Sequence, residues 1–102
     1  MRVIGVHPVE ADEPVHLIEV DIGDERPGLD WGSVAQPNDN PDSSYWQAAY
    51  DEQQVPGSPG RWCFFMHYLD PTKQLETNLG QLQLPPVSPI PPHLRFIRYE
   101  EP

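Results

Sequence analysis

Proline is the feature that most restricts the fold of this chain. Fourteen of its 102 residues are proline, and each proline removes a backbone donor and breaks the interior of a helix. The longest segments without proline cover residues 15–26, 42–55 and 72–84. Long helices are therefore excluded, and the sequence predicts short strands between irregular loops.

Two segments near the N-terminus have the pattern of strands. Residues 2–6, RVIGV, form a short apolar run that we expect Pro8 to end. In residues 15–22, VHLIEVDI, the even-numbered positions are mostly apolar, and the two acidic residues lie on the opposite face. This alternation is typical of a strand that is buried on one side.

The segment 61–69, RWCFFMHYL, is the most apolar part of the chain. A strand with two apolar faces is covered on both sides, so we expect this one at the centre of a sheet. The expected faces are Trp62, Phe64, Met66 and Tyr68 on one side and Cys63, Phe65, His67 and Leu69 on the other.

Three further predictions concern the C-terminal part. Residues 72–78 can form a turn of helix, and residues 79–85, LGQLQLP, alternate like a half-exposed strand that pairs with 61–69. Five prolines in residues 85–92 predict a polyproline II crossover. Residues 93–101, HLRFIRYEE, have the pattern of a last strand.

The middle of the chain is expected to be irregular. Residues 23–44 combine three glycines and three prolines with many Asp, Asn and Ser residues, which predicts a long acidic loop pinned to the core by Trp31 and Val34. Ser44 followed by Gln47 resembles a capping box. We therefore expect a short helix over 45–54.

Together these patterns predict a single domain over residues 1–102. Its fold class is mainly β: a small antiparallel curved sheet or open barrel of about five strands with one short helix. A small α+β domain is the alternative. The predicted core consists of Ile4, Val6, Leu17, Ile18, Val20, Trp62, Phe64, Phe65, Met66, Leu82, Leu84, Phe96 and Ile97.

The negative charge of the chain limits the kinds of molecule that we expect it to bind. The formal net charge is −10, and residues 1–60 hold twelve acidic residues against two basic ones. Binding to nucleic acid needs positive charge, and an anionic membrane repels this surface. The expected partner is therefore a basic protein. A single cysteine, a polar N-terminus and the lack of a long apolar run predict a cytoplasmic protein.

The sequence predicts no catalytic residue, metal site or cofactor. In a strand, Cys63 and His67 are about 13 Å apart, too far for a nucleophile and its base. His7, His16, His67 and His93 lack the short spacing of metal ligands. The acidic run 37–44, PNDNPDSS, lacks the glycine and glutamate of a calcium-binding EF-hand loop.

The function predicted from these observations is a non-catalytic binding module for a basic protein partner. Aromatic residues within the acidic region are the types favoured as interface anchors. A small-molecule-binding β domain and a metal- or histidine-dependent enzyme are the alternatives. The candidate binding residues are Trp31, Asp39, Asp42, Tyr45, Trp46 and Tyr50.

Overall fold

The computed structural model describes residues 1–23, 28–37 and 46–100. In these residues the mainly β, antiparallel class predicted from the sequence is confirmed, with the strands divided between two four-stranded sheets. The strands are β1 (Arg2–Val9), β2 (Val15–Asp21), β3 (Ala35–Pro37), β4 (Trp46–Ala48), β5 (Tyr50–Gln54), β6 (Arg61–His67), β7 (Leu75–Thr77) and β8 (Gly80–Leu82). Short 3-10 helices cover Trp31–Ser33 and Pro92–Leu94.

The first sheet has the strand order β1-β2-β6-β5, so the prediction of a central strand at β6 is confirmed. The alternation of side chains between the two faces of β6 ends one residue after the strand, because Tyr68 adopts a positive φ of 54°. This turns the side chain of Leu69 into the same core as Phe64 and Met66. The predicted placement of Leu69 on the face of Cys63 is therefore wrong.

Strand β1 is longer than predicted, because it continues through Pro8 to Val9. Proline is tolerated there since β1 lies at the edge of its sheet, where one side of the strand needs no ladder hydrogen bonds. The register between β1 and β2 shifts between Val3 and Gly5. Ile4 lies within this irregularity and is half-buried rather than a full core residue.

The helix predicted over 45–54 is wrong. Strands β4 and β5 occupy this segment, with β4 paired to β3 and β5 paired to β6. An isolated helix of three turns is marginal in water, so the hydrogen bonds to distant strands outweigh the local preference. The two strands also belong to different sheets, and the chain crosses between the sheets near Ala49.

The second sheet has the order β4-β3-β7-β8. Two sequence predictions about this sheet are wrong. The predicted helical turn over 72–78 is wrong, because residues 75–77 form strand β7, which pairs with β8 through a tight hairpin in which Thr77 faces Gly80. Strand β8 was expected to pair with the central strand, but β7 is its hydrogen-bonded neighbour.

Each face of the first sheet is covered by a different layer. The second sheet covers one face, and the C-terminal residues 85–100, here called the strap, cover the other. The first core comprises Val3, Val6, Ile18, Val20, Ile22, Leu29, Val34, Phe64, Met66, Leu69 and Leu75. The second core, under the strap, comprises Val15, Leu17, Val55, Cys63, Phe65 and Leu94.

The strap is not the last strand that the sequence predicts. Its prolines lead into the 3-10 helix Pro92–Leu94, which proline favours at its first positions. Leu94 is fully buried in consequence, whereas Phe96 is 41% exposed. The prediction that Phe96 belongs to the core is therefore wrong. Earlier in the strap, Val87 forms an isolated parallel bridge with Val6.

The predicted loop over 23–44 has local structure in its described part, residues 28–37. Asp30 caps the 3-10 helix Trp31–Ser33 by accepting a hydrogen bond from the backbone N of Gly32 (3.0 Å). Val34 is buried, and β3 follows directly. Residues 28–37 are therefore not irregular throughout.

Across the described ranges, no helix is long and apolar enough to cross a membrane.

Candidate functional site

Two of the six predicted binding residues have described side chains, and they lie on opposite sides of the first sheet. The ring centroid of Trp31 is 5.7 Å from that of Trp62 and 5.6 Å from that of Phe64, in the first core. Tyr50 packs on the other face, with its centroid 5.9 Å from that of Phe65. The structure does not bring Trp31 and Tyr50 together.

The structure does not describe the side chains of the other four predicted residues. Asp39, Asp42 and Tyr45 lie outside the described residues. The backbone of Trp46 belongs to β4, where it pairs with Pro37.

Acidic and aromatic residues do meet at one end of the first sheet. Three chain segments converge there: the β1–β2 turn (residues 10–14), the start of β5 and the end of β6. Val15 pairs with His67, and the backbone N of Tyr68 donates a hydrogen bond to the carbonyl O of Pro14 (2.9 Å). We call this surface the acidic end. It comprises Glu10, Asp12, Glu13, Tyr50, Asp51, Glu52, His67, Tyr68 and Tyr99.

His67 lies at the centre of the acidic end. Its Nδ1 is 3.6 Å from Oε2 of Glu13, and its Nε2 is 3.3 Å from the hydroxyl of Tyr99. The ring of Tyr50 stacks on the imidazole at a centroid distance of 5.3 Å and an interplanar angle of 20°. These contacts hold one carboxylate and two phenol rings around a single imidazole.

The tyrosines differ in how far they are buried. Tyr50 and Tyr99 are half-buried beside the second core. Burial of Tyr50, the nearby Tyr99 hydroxyl and the Asp51 carboxylate all raise the pKa of the Tyr50 phenol. Tyr68 is 50% exposed. The acidic end therefore presents neutral aromatic surface next to carboxylates.

Backbone strain is concentrated at the same end. Among the described residues, Asp51 and Tyr68 are the non-glycine residues with positive φ, both at 54°. Aspartate tolerates this conformation, but it is unfavourable for a bulky residue such as tyrosine. Strained residues cluster at functional sites, where the surrounding structure enforces them. The strain at Tyr68 is thus independent support for a role of this surface.

The acidic end is chemically suited to binding the cationic side chains of arginine and lysine. Arginine and lysine bind carboxylates by charge-assisted hydrogen bonds, and they also stack on aromatic faces. At the acidic end, the carboxylate of Glu13 is 3.6 Å from His67, whose ring lies near those of Tyr50 and Tyr68, and the carboxylate of Asp51 is close enough to Tyr50 to raise the pKa of its phenol. Both kinds of contact are therefore available on one surface.

Cys63 has no role at this surface. The thiol is fully buried, with its Sγ 3.6 Å from the backbone O of Gln53. Burial, together with the carboxylates of Glu19 and Asp51, raises the pKa of Cys63 to about 12. The reactive form of cysteine is the thiolate, and a thiol with this pKa is neutral at pH 7.

His7, His16 and His67 do not converge. His16 and His67 belong to neighbouring strands but point to opposite faces, and burial lowers the pKa of His16. His7 and His67 share a face, but β2 separates their strands and His7 is in register with Phe65, two residues before His67, which places their Cα atoms roughly 12 Å apart. Within the described part of the chain, no group of three or more His, Cys, Asp and Glu residues could hold a metal ion.

Two polar contacts fasten the strap to the sheet beneath it. Glu19 is 3% exposed, and its two carboxylate oxygens are 2.8 Å and 3.0 Å from Nε2 of His93. Nδ1 of His7 is 3.0 Å from the backbone O of Ser88. Sequence reasoning missed both contacts. The one available signal was Glu19, an acid within an otherwise apolar strand, which needs a partner when it is buried.

In comparisons with known proteins, the chain matches no family model, no curated protein and no solved structure.

Proposed function

We propose that this protein is a non-catalytic binding module that docks a basic segment of a partner protein on its acidic end. One observation carries the proposal: exposed carboxylates lie beside aromatic rings at a strained end of the first sheet, in a chain of net charge −10. The neutral thiol of Cys63 and the separation of the histidines favour binding over catalysis.

Charge explains why the partner would be basic. Glu10, Asp12, Glu13, Asp51 and Glu52 are exposed on this surface. Complementary charge of this kind accelerates encounter and selects against acidic partners. Arginine or lysine side chains from one extended segment could then contact carboxylates on both the β1–β2 turn and β5.

Aromatic contacts would add affinity beyond the charges. A cation placed over an exposed aromatic ring gains roughly 0.5–1 kcal/mol, and Tyr68 presents such a ring. The stacked rings of Tyr50 and His67 are already ordered by their neighbours. Because these rings need no further ordering, little conformational entropy is lost on binding.

The experiment uses decalysine as a defined basic probe and follows amide chemical shifts of the full chain by NMR at low and moderate salt. We expect the shifts to concentrate in residues 10–14, 50–52 and 67–68. The double variant Glu13→Gln/Glu52→Gln should weaken decalysine binding about three- to tenfold, since each exposed ion pair contributes up to about 1 kcal/mol.

The matched control removes the same charge elsewhere. Asp21→Asn/Glu76→Gln neutralises two carboxylates on half-buried residues outside the acidic end, and it should change the affinity less than twofold. Equal weakening by both double variants would mean that only the overall negative field attracts the probe. That result, or shifts that avoid the acidic end, would refute the proposal.

A further inference from the structure

An open groove separates the end of β1 from the strap. Its volume is about 1140 Å³, slightly above the usual range of small-molecule pockets. The aliphatic side chains in its walls include those of Val9, Ile90 and Ile97. These three are half-buried on the edge of the second core, so they leave apolar surface open to the groove.

The groove also contains two cationic side chains. Arg95 and Arg98, three residues apart in the strap, both line it and are both exposed. Neither guanidinium forms an ion pair within residues 1–23, 28–37 and 46–100. Two exposed arginines without an ion pair among the described residues give these apolar walls a local positive charge in a chain with net charge −10, and this combination suits an anionic ligand.

We propose that this groove binds a small amphiphilic monocarboxylate, with its apolar chain along Val9, Ile90 and Ile97 and its carboxylate at Arg95 and Arg98. The planar guanidinium forms two parallel hydrogen bonds to a carboxylate. The apolar part of the ligand gains roughly 0.8 kcal/mol for each methylene that is removed from water. This site goes beyond the proposed function, because the groove would bind an anion whereas the acidic end would bind cationic side chains.

The surroundings favour a single negative charge on the ligand. Glu10 also lines the groove, and the whole chain repels anions in proportion to their charge. An acidic peptide with several carboxylates would meet this repulsion at each one. A monocarboxylate meets it once, and the two arginines offset it locally.

The test compares three ligands with the same ten-carbon chain: decanoate, decanol and decyltrimethylammonium. The two ionic ligands are kept below their micelle concentrations, and decanol is kept below its solubility limit. Binding to the full chain is measured by calorimetry and by NMR shifts of Ile90 and Ile97. We expect decanoate to bind at least tenfold more tightly than decanol and the cationic ligand to bind most weakly. Failure of decanoate to bind at millimolar concentration would overturn the proposal.

Variants then locate the carboxylate. Arg95→Gln/Arg98→Gln should weaken decanoate at least tenfold and leave decanol unchanged. The control Arg2→Gln/Arg61→Gln removes two exposed arginines outside the groove and should alter decanoate affinity less than twofold. Equal loss in both double variants, or no loss in the first, would overturn the assignment to Arg95 and Arg98. Decalysine binding at the acidic end is a separate measurement, so either proposal can fail alone.

Discussion

The conformation of the strap predicts that two nearby apolar residues, Leu94 and Phe96, contribute differently to stability. Leu94 is fully buried in the second core, where it belongs to the same cluster as Leu17 and Phe65. Phe96, two residues later, is 41% exposed. In a strand the two side chains would share one face. In the 3-10 helix and the turn after it they do not, so truncating each to alanine tests the conformation of the strap.

The expected cost of Leu94→Ala follows from its burial. Three carbon atoms are removed, and at about 0.8 kcal/mol each their transfer accounts for about 2.4 kcal/mol. The cavity left behind adds to this, which gives about 2.5–5 kcal/mol in total. For a chain of this size the melting temperature should fall by more than about 10 °C. Phe96→Ala should cost roughly 1–2 kcal/mol, less than Leu94→Ala, since 41% of Phe96 is already exposed to water.

The assay is urea unfolding followed by tryptophan fluorescence, with the slope m checked for each variant. A second readout is the reaction of Cys63 with a thiol reagent, since Cys63 lies in the same core as Leu94. Leu94→Ala should speed this reaction and Phe96→Ala should not.

One pair of results would refute the reasoning. If Phe96→Ala destabilises the protein as much as Leu94→Ala, both side chains are buried. The strap would then be the extended last strand that the sequence pattern favours. A loss below about 1 kcal/mol for Leu94→Ala would show instead that the strap is not packed on the first sheet.

Three further outcomes follow from buried groups. His93→Ala should destabilise the protein by about 1.5–3 kcal/mol in urea unfolding at pH 7, because the buried carboxylate of Glu19 loses its partner. Adding Glu19→Gln to this variant should recover part of the lost stability. An unchanged unfolding midpoint in His93→Ala would argue against the contact. Gly5→Ala should cost about 1–3 kcal/mol, because the new Cβ collides with the ring of His7; wild-type stability would contradict this packing. Cys63, with its pKa raised to about 12, should react with a thiol reagent slowly at pH 8 and quickly in urea, whereas a fast native reaction would show an open site.

Local pattern was most reliable where one segment carried a strong signal. The segment 61–69 has two apolar faces, and only a central strand buries both, so β6 could be placed without any knowledge of its neighbours. The pattern failed at Tyr68, where a positive φ reverses the alternation. Nothing in the residue type predicts that conformation, because tyrosine disfavours it.

Segments with weak signals took their structure from distant partners. Residues 46–54 have a marginal helical preference, yet they pair with β3 and β6. The alternating pattern of residues 93–99 would suit a strand. The 3-10 helix that begins at Pro92 leaves Phe96 exposed and brings Leu94 onto the second core.

For the candidate site, the sequence led to the proposal of a basic partner but not to the surface that is proposed to bind it. The six residues chosen from the region 23–54 include Trp31, which packs into the first core. The acidic end instead joins the β1–β2 turn to β5 and to the end of β6. That proximity arises from the register of β2 with β6, which no local spacing encodes.

Composition and short-range pattern therefore determined three properties of this protein: the absence of long helices from the described residues, the mainly β class and the excess of negative charge. Each depends on residue types within a few positions, through proline geometry, alternation and ionisation. The tertiary structure decided which strands pair, which face the strap covers and which polar groups meet. Glu19 and His93 illustrate the reason, since they are 74 residues apart in sequence. Their contact exists because burial of Leu94 and Phe65 in one core holds the strap against β2 and β6.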